Sequence, residues 1–246
     1  MSQLPVSGPA ALLRGFRLLT VPGLRRFVLL PLLVNVALFV GAVAYALSWM
    51  ERLSAWVTDH LPGWLDWLSW LLWPLFIISI LLVVFYTFSL VANIIAAPFN
   101  GLLAEKVEVH LGGRLPEQTS DWRKLLKEFL PVMANELRKL LYMVLWSLPF
   151  LILFLIPGLN LFAPFLWFAF SAWMLALEYL DYPMGNHNIN FRALRAELAK
   201  RRFLSLGFGS AVLVGTLIPV VNFFVMPAAV AGATVLWVEQ FSAGRR

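Results

Sequence analysis

The stretch FVLLPLLVNVALFVGAVAYALSWM, residues 27–50, decides the fold because its 24 residues carry no charged side chain. As an α-helix with a rise of 1.5 Å per residue it would be about 36 Å long. That length exceeds the hydrocarbon core of a bilayer, which is roughly 30 Å thick. The composition agrees, since 61% of the residues are hydrophobic, compared with roughly 45–50% in soluble domains. We therefore predict an all-α integral membrane protein with a spanning helix over residues 27–50.

A second apolar run follows, and tryptophans mark its beginning. Residues 67–104 carry no charge. Four tryptophans recur there at a spacing of three: Trp64, Trp67, Trp70 and Trp73. Indole rings are enriched at membrane interfaces, where they anchor the ends of spanning helices. The pattern predicts a second spanning helix over residues 72–98.

The last two apolar regions, residues 140–177 and 203–238, are each interrupted by a proline. LIPGLNLF at 155–162 and LIPVVNFF at 217–224 form a weak internal repeat. Cutting the regions at these turns gives arms of about 16 or 17 residues, or about 25 Å of helix, which is short for a span. Paired full spans and re-entrant hairpins are both compatible with this pattern. The arm length and the interruptions favour two re-entrant hairpins.

Two further segments carry the charges expected of surface helices. Residues 8–20 combine Arg14 and Arg17 with an apolar arc, which predicts an amphipathic helix lying on the membrane. Residues 100–139 mix acids, bases and apolar positions at helical spacing, broken by the turn GGRLPEQ, with Ser120 as a helix N-cap. We predict that this second segment forms cytoplasmic amphipathic helices.

The basic residues lie on one side of the predicted topology. Of the 19 Lys and Arg residues, only Arg52 falls in the loop between the first two spans. A hairpin returns to its starting side whether it crosses or dips, so this asymmetry holds in either arrangement. The positive-inside rule places the basic face in the cytoplasm. The same rule explains the net charge of +6, so we expect no nucleic-acid partner.

The segment TVPGLRR, residues 20–26, is the first candidate for a binding site. Proline suits the first turn of a helix, so Gly23, Leu24 and Arg25 would present unpaired backbone N–H groups there. With the guanidinium groups of Arg25 and Arg26 they would form an oxyanion site. The alternative is that the two arginines only mark the cytoplasmic end of a span.

Three polar residues are candidates for a permeation path. Asn160 and Asn222 occupy equivalent positions in the repeat, and in re-entrant hairpins they would lie deep in the membrane. Glu105 lies where the protein interior would meet the cytoplasm. The alternatives are that each asparagine N-caps the second arm of its hairpin and that Glu105 lies on a solvated helix face.

No pattern in the sequence indicates an enzyme. The chain has no cysteine and three scattered histidines without metal-ligand spacing, so we expect no metal and no cofactor. Asp181 and His187 in the polar stretch 178–192 are six residues apart, but a structured turn between helices is a better interpretation than an acid/base dyad.

Three stretches resemble the CysZ sulfate permease family, which is related to the etoposide-induced protein 2.4 domain. They are PGLRRF with the following PLLVN at 22–35, AAPFNGLLAEKVE at 96–108 and LEYLDYPMGNHNINF at 177–191. The resemblance implies sulfate uptake across the bacterial inner membrane for cysteine synthesis. It also implies an oligomer of two-span subunits with re-entrant helix pairs, and a sulfate site at the Gly-Leu-Arg motif, here Gly23, Leu24 and Arg25 with adjacent Arg26.

The predicted mechanism is channel-like or proton-assisted permeation, because no ATP-binding P-loop is present in the sequence. The predicted partners are sulfate, the lipid bilayer and further copies of the chain, with selectivity over sulfite and other oxyanions left open. The alternative function is a non-transporting membrane scaffold whose 100–139 segment binds partners or anionic lipid.

Overall fold

A computed structural model describes residues 6–60, 74–75, 77–82, 99–115 and 122–242, with the backbone alone for 35, 51, 53–55, 57–60 and 122–136. The chain divides into two compact units, one made of residues 1–25 and 100–246 and the other of residues 26–99. The described helices are α1 (Gly8–Leu18), α2 (Arg26–His60), α3 (99–110), α4 (Trp122–Leu155), α5 (Ala163–Asn186), α6 (Phe191–Lys200), α7 (Arg202–Thr216) and α8 (Pro219–Leu236). A π turn, Trp237–Phe241, continues α8.

The all-helical prediction is confirmed for the described residues. Among them, four segments are long and apolar enough to cross a membrane: Arg26–Met50, Leu137–Leu155, Ala163–Asn186 and Pro219–Phe241. The first of these corresponds to the uncharged stretch 27–50. Most of the predicted span 72–98, all four interfacial tryptophans and Ser120 lie outside the described residues.

The arms of the first hairpin are longer than predicted. Instead of 16 or 17 residues, α4 has 34 and α5 has 24. The prediction was wrong because it ended the arms at charged residues, whereas the helices continue through them. Lys139 on α4 lies 3.0 Å from both Glu178 and Asp181 on α5, so these charges pair with each other inside the hairpin instead of ending it. Arm length therefore no longer favours a re-entrant first hairpin.

The arms of the second hairpin are unequal. Helix α7 has 15 residues, or about 22 Å of helix, and is too short to cross the hydrocarbon core unaided. Its partner segment Pro219–Phe241 has 23 residues. Of the two arms of this hairpin, only α7 is therefore short enough to favour a re-entrant arrangement.

Helix α1 packs against α7 and α8 through its smallest residues. Gly8, Ala11, Leu12 and Gly15 are buried. A Cβ atom on Gly15 would lie 2.0 Å from the Ala228 carbonyl oxygen, and one on Gly8 would lie 2.2 Å from the Phe208 nitrogen. Such close approach of backbones is the usual way helices associate in membranes. The amphipathic pattern did not predict this contact.

The centre of the larger unit is formed by α5, α7 and α8. Gly209 on α7 meets α5 so closely that a Cβ atom would lie 1.8 Å from the Ala172 carbonyl oxygen. The largest fully buried side chains in this region include Phe208, Leu177 and Leu180. This packing holds α5, whose C-terminal part carries Asp181 and Tyr182, against α7 and α8.

Candidate polar sites

The segment between α1 and α2 is a tight turn. Gly23 has a φ of 92°, and a Cβ atom added there would meet nothing within 4 Å. Glycine is therefore favoured at this position by the backbone angle and not by a lack of space. The Leu24 N–H donates to the Val21 carbonyl at 3.1 Å. A Pro-Gly pair at the two central positions with a positive φ at the second is typical of a type II turn.

This turn corrects the predicted geometry of the oxyanion site. Helix α2 begins at Arg26, so Pro22 is not in its first turn. The N–H groups of Leu24 and Arg25 both donate to the Val21 oxygen, at 3.1 and 3.3 Å, and are therefore not free for an anion. Leu24 is buried, whereas the Arg25 side chain is exposed. What Arg25 presents to solvent is its guanidinium group.

Arg26 belongs to the smaller of the two compact units. It is the first residue of α2 and is exposed. Its guanidinium carbon lies 5.0 Å from the centroid of the Phe27 ring, which is within the range of a cation–π contact. Arg26 thus keeps its charge at the surface while its side chain is held over an aromatic ring.

The two asparagines of the repeat do not cap helices. Asn160 lies in a 3₁₀ turn, Leu159–Leu161, and Asn222 lies inside α8. The N-cap residues of α5 and α8 are Phe162 and Ile218, and neither helix has a side-chain cap. The capping alternative is therefore wrong. Both asparagines are exposed at the turns of their hairpins.

Glu105 lies near the opposite end of α5 from Asn160. Helix α3 carries half-buried Glu105 and is joined to the C-terminal part of α5 by a hydrogen bond of 3.3 Å from Asn100 Nδ2 to the Tyr182 hydroxyl. Since α5 has 24 residues, its two ends are about 36 Å apart. Glu105 and Asn160 are therefore not parts of one compact site.

A buried group that sequence analysis missed joins α3, α5 and the π turn. Glu108 is 2% exposed. Its Oε1 atom lies 2.8 Å from His187 Nε2 and accepts a hydrogen bond of 3.2 Å from Trp237 Nε1. Its Oε2 atom is buried and has no hydrogen-bond partner among the described residues. A carboxylate so enclosed is costly unless it is paired.

The stretch 178–192 is neither an acid/base dyad nor a turn throughout, because residues 178–186 continue α5 and only residues 187–190 form a turn between helices. His187 pairs with Glu108, 79 residues away in sequence, whereas Asp181 pairs with Lys139. The two side chains therefore have different partners. No local spacing could have identified Glu108 as the partner of His187, because the two residues meet only when α3 packs on α5.

The π turn makes two further polar contacts. Glu239 forms a bidentate ion pair with Arg14 of α1. The distances are 2.9 Å from Arg14 Nη1 to Glu239 Oε2 and 2.6 Å from Arg14 Nη2 to Glu239 Oε1. Gln240 accepts a hydrogen bond of 2.7 Å from Arg201. Short π segments recur at functional positions because they redirect side chains. Among the described residues, no group of three or more His, Cys, Asp or Glu could hold a metal ion.

Comparison with known proteins identifies the family. Residues 11–227 match the family described as Sulfate transporter CysZ/Etoposide-induced protein 2.4. A protein named Sulfate transporter CysZ from Pseudomonas aeruginosa (strain LESB58) is 44% identical over 238 residues, which cover 96% of each chain. One of the same name from Salmonella typhimurium (strain LT2) is 46% identical over 239 residues, covering 96% of this chain and 93% of the relative. The resemblance noted in the sequence is thus confirmed, and the chain is a multi-pass membrane protein that belongs to the CysZ/etoposide-induced protein 2.4 family.

Proposed function

We propose that this chain is a sulfate uptake permease of the bacterial inner membrane that supplies sulfate for cysteine synthesis. One observation carries the proposal: identity of 44–46% along 96% of the chain to proteins named as sulfate transporters. The helices long enough to cross a membrane suit a transporter. The absence of a P-loop in the sequence favours channel-like or proton-assisted permeation over direct use of ATP.

We infer that sulfate binds at Gly23, Leu24, Arg25 and Arg26. Sulfate is a strongly hydrated dianion, and it enters a membrane protein only where donors replace its water. Guanidinium groups provide two parallel N–H donors to an oxyanion. In this proposal Gly23 sets the turn and buried Leu24 anchors it, while the exposed guanidinium groups of Arg25 and Arg26 bind the ion.

We also propose that Asn160, Asn222 and Glu105 line the path of the ion at different depths. The distance between the two ends of α5 supports a path that is long compared with a single binding site. The exposure of both asparagines in a single subunit supports a path completed by further copies of the chain. A homo-oligomer with a re-entrant second hairpin would enclose these residues away from lipid.

Radiolabelled sulfate flux into proteoliposomes tests the binding site. We expect Arg25→Ala and Arg26→Ala each to lower the initial flux by about tenfold or more, because each removes charge-assisted hydrogen bonds to the ion. Arg114→Ala is a matched control, since Arg114 is an exposed arginine on the loop after α3 and should retain flux within about twofold.

Different flux results would reject the proposed binding site and the proposed transport function separately. Wild-type flux in both Arg25→Ala and Arg26→Ala would reject the binding site but retain the transporter. No sulfate flux by the wild-type chain, together with no thermal stabilisation by sulfate in detergent, would reject transport and favour the non-transporting scaffold. Loss of flux in Arg114→Ala as well would indicate a general effect of surface charge.

A further inference from the structure

A cavity of about 790 Å³ opens between α4, α5 and α6. Its volume is within the range of roughly 300–1,000 Å³ that is usual for ligand sites. Three arginines line it, Arg138 from α4 with Arg192 and Arg195 from α6. Three aromatic residues form part of its wall: Tyr142, Trp173 and Phe191. None of these residues belongs to the proposed sulfate site or path.

Three arginine side chains give the lining of the cavity a positive charge. No carboxylate lies within 4.0 Å of their guanidinium groups among the described residues, although Lys139 and Lys200 nearby both have acidic partners. Three like charges around one cavity repel each other, and this repulsion is relieved when an anion binds between them. The charge therefore indicates an anionic ligand.

Arg195 is held in place by aromatic rings. Its guanidinium carbon lies 4.0 Å from the centroid of the Tyr142 ring and 5.8 Å from that of Phe191. The Tyr142 and Phe191 rings are themselves 5.5 Å apart in an edge arrangement, and Phe191 is buried. The guanidinium group is thus preorganised, which lowers the entropy cost of binding a ligand.

An apolar surface leads away from the arginines along α4. Tyr142 and Arg138 both lie near the start of Leu137–Leu155, a segment long and apolar enough to cross a membrane, so the cavity is at one end of that segment. The Trp146 ring is 6.0 Å from that of Tyr142, and Trp146 and Leu145 are 52% and 54% exposed. A small inorganic anion would contact only the arginines, whereas a phospholipid would also cover this apolar surface with its acyl chains.

We propose that this cavity binds an anionic phospholipid, with its phosphate among Arg138, Arg192 and Arg195 and its acyl chains along Leu145 and Trp146. Basic pockets between membrane helices are a recognised way of binding anionic headgroups, and aromatic side chains commonly mark the same interface. The proposal does not depend on sulfate transport by the chain.

Native mass spectrometry of the detergent-purified full chain tests the proposal, with phosphatidylglycerol and phosphatidylcholine as probes. We expect the wild-type chain to retain phosphatidylglycerol in preference to phosphatidylcholine. Arg192→Gln and Arg195→Gln should each weaken phosphatidylglycerol binding by about fivefold. Arg192 is exposed, so its replacement is not expected to disturb folding. Arg202→Gln is the control, because it removes the same charge from an exposed arginine at the start of α7, outside the cavity.

Three results would overturn the assignment. Equal retention of phosphatidylglycerol by Arg192→Gln, Arg195→Gln and the wild-type chain would exclude the cavity as the lipid site. An equal loss in Arg202→Gln would attribute lipid binding to general surface charge. Unchanged lipid retention combined with loss of sulfate-induced thermal stabilisation in Arg192→Gln would show that a free oxyanion, and not a lipid, occupies the cavity.

Discussion

Glu108 illustrates how one side chain organises its surroundings. One of its oxygens serves both His187 and Trp237, and the other is buried without a hydrogen-bond partner among the described residues. The imidazole and indole rings also contact each other, with centroids 4.8 Å apart. The carboxylate thus holds together two rings from distant parts of the chain.

We predict that Glu108→Ala lowers the melting temperature in detergent by roughly 5–10 °C, because it leaves the buried Trp237 indole and the half-buried His187 imidazole without their partner. Glu108→Gln retains an amide oxygen as acceptor and should lose less than half as much. Thermal unfolding followed by intrinsic fluorescence measures both effects. Glu105→Ala, on the same helix but only half-buried, is the control and should change little. A Glu108→Ala chain as stable as wild type would contradict this account.

At the scale of single residues, some local features can be predicted from sequence and others cannot. The Pro-Gly pair before Leu24 is a type II turn signature, and giving it more weight than the helix-start preference of proline would have placed the turn correctly. The partner of His187 was not accessible in this way. A pairing over 79 residues depends on how helices pack, which neither periodicity nor charge spacing encodes.

At the scale of the helices, small residues determine which elements meet. Gly15 of α1 lies opposite Ala228 and Gly232 of α8, and Gly232 in turn lies against the Ala11 carbonyl of α1. The hydrophobic pattern of α1 predicted a helix but not the helices it contacts. Charge is equally informative at this scale, since the pairing of Lys139 with Glu178 and Asp181 lets α4 and α5 extend beyond the apolar run.

We predict that Gly15→Ala separates α1 from α8, because the added methyl group would lie 2.0 Å from a backbone oxygen that cannot rotate away. Overpacking of this kind costs about 1–3 kcal/mol. The expected results are a lower melting temperature and faster proteolysis within α1.

Gly101→Ala is the matched control for that substitution. Gly101 lies in α3, and its added methyl group would meet nothing within 4 Å. Its replacement should be neutral or slightly stabilising, because alanine favours helix more than glycine does by roughly 1 kcal/mol. Equal stability of the two variants would show that α1 has room to shift.

At the scale of the whole molecule, the larger unit is closed by contacts between distant parts of the chain. Residues 1–25 join residues 100–246 in this unit, and Arg14 pairs with Glu239 across 225 residues of sequence. The apolar helix over residues 27–50 was accessible from composition because it is a property of one continuous stretch. The closure was not, because it joins two stretches that are remote in sequence.

We predict a coupling free energy of about 1 kcal/mol between Arg14 and Glu239, since their ion pair is bidentate but partly exposed. A double-mutant cycle with Arg14→Ala, Glu239→Ala and the double variant measures it through unfolding in detergent. The coupling should decrease as salt is added. Additive effects of the two single substitutions would show that the ion pair contributes nothing to closure.

The contact between α1 and α8 also sets an order of events during biosynthesis. Arg14 leaves the ribosome 225 residues before Glu239, which corresponds to roughly 10–45 s at typical translation rates. Through most of that interval neither α7 nor α8, the helices that finally cover α1, has been synthesised. An amphipathic helix is stable at the lipid interface, so the amphipathic pattern of α1 allows it to lie there while the chain is being synthesised. The glycines of α1 allow it to pack closely on α8 once the chain is complete.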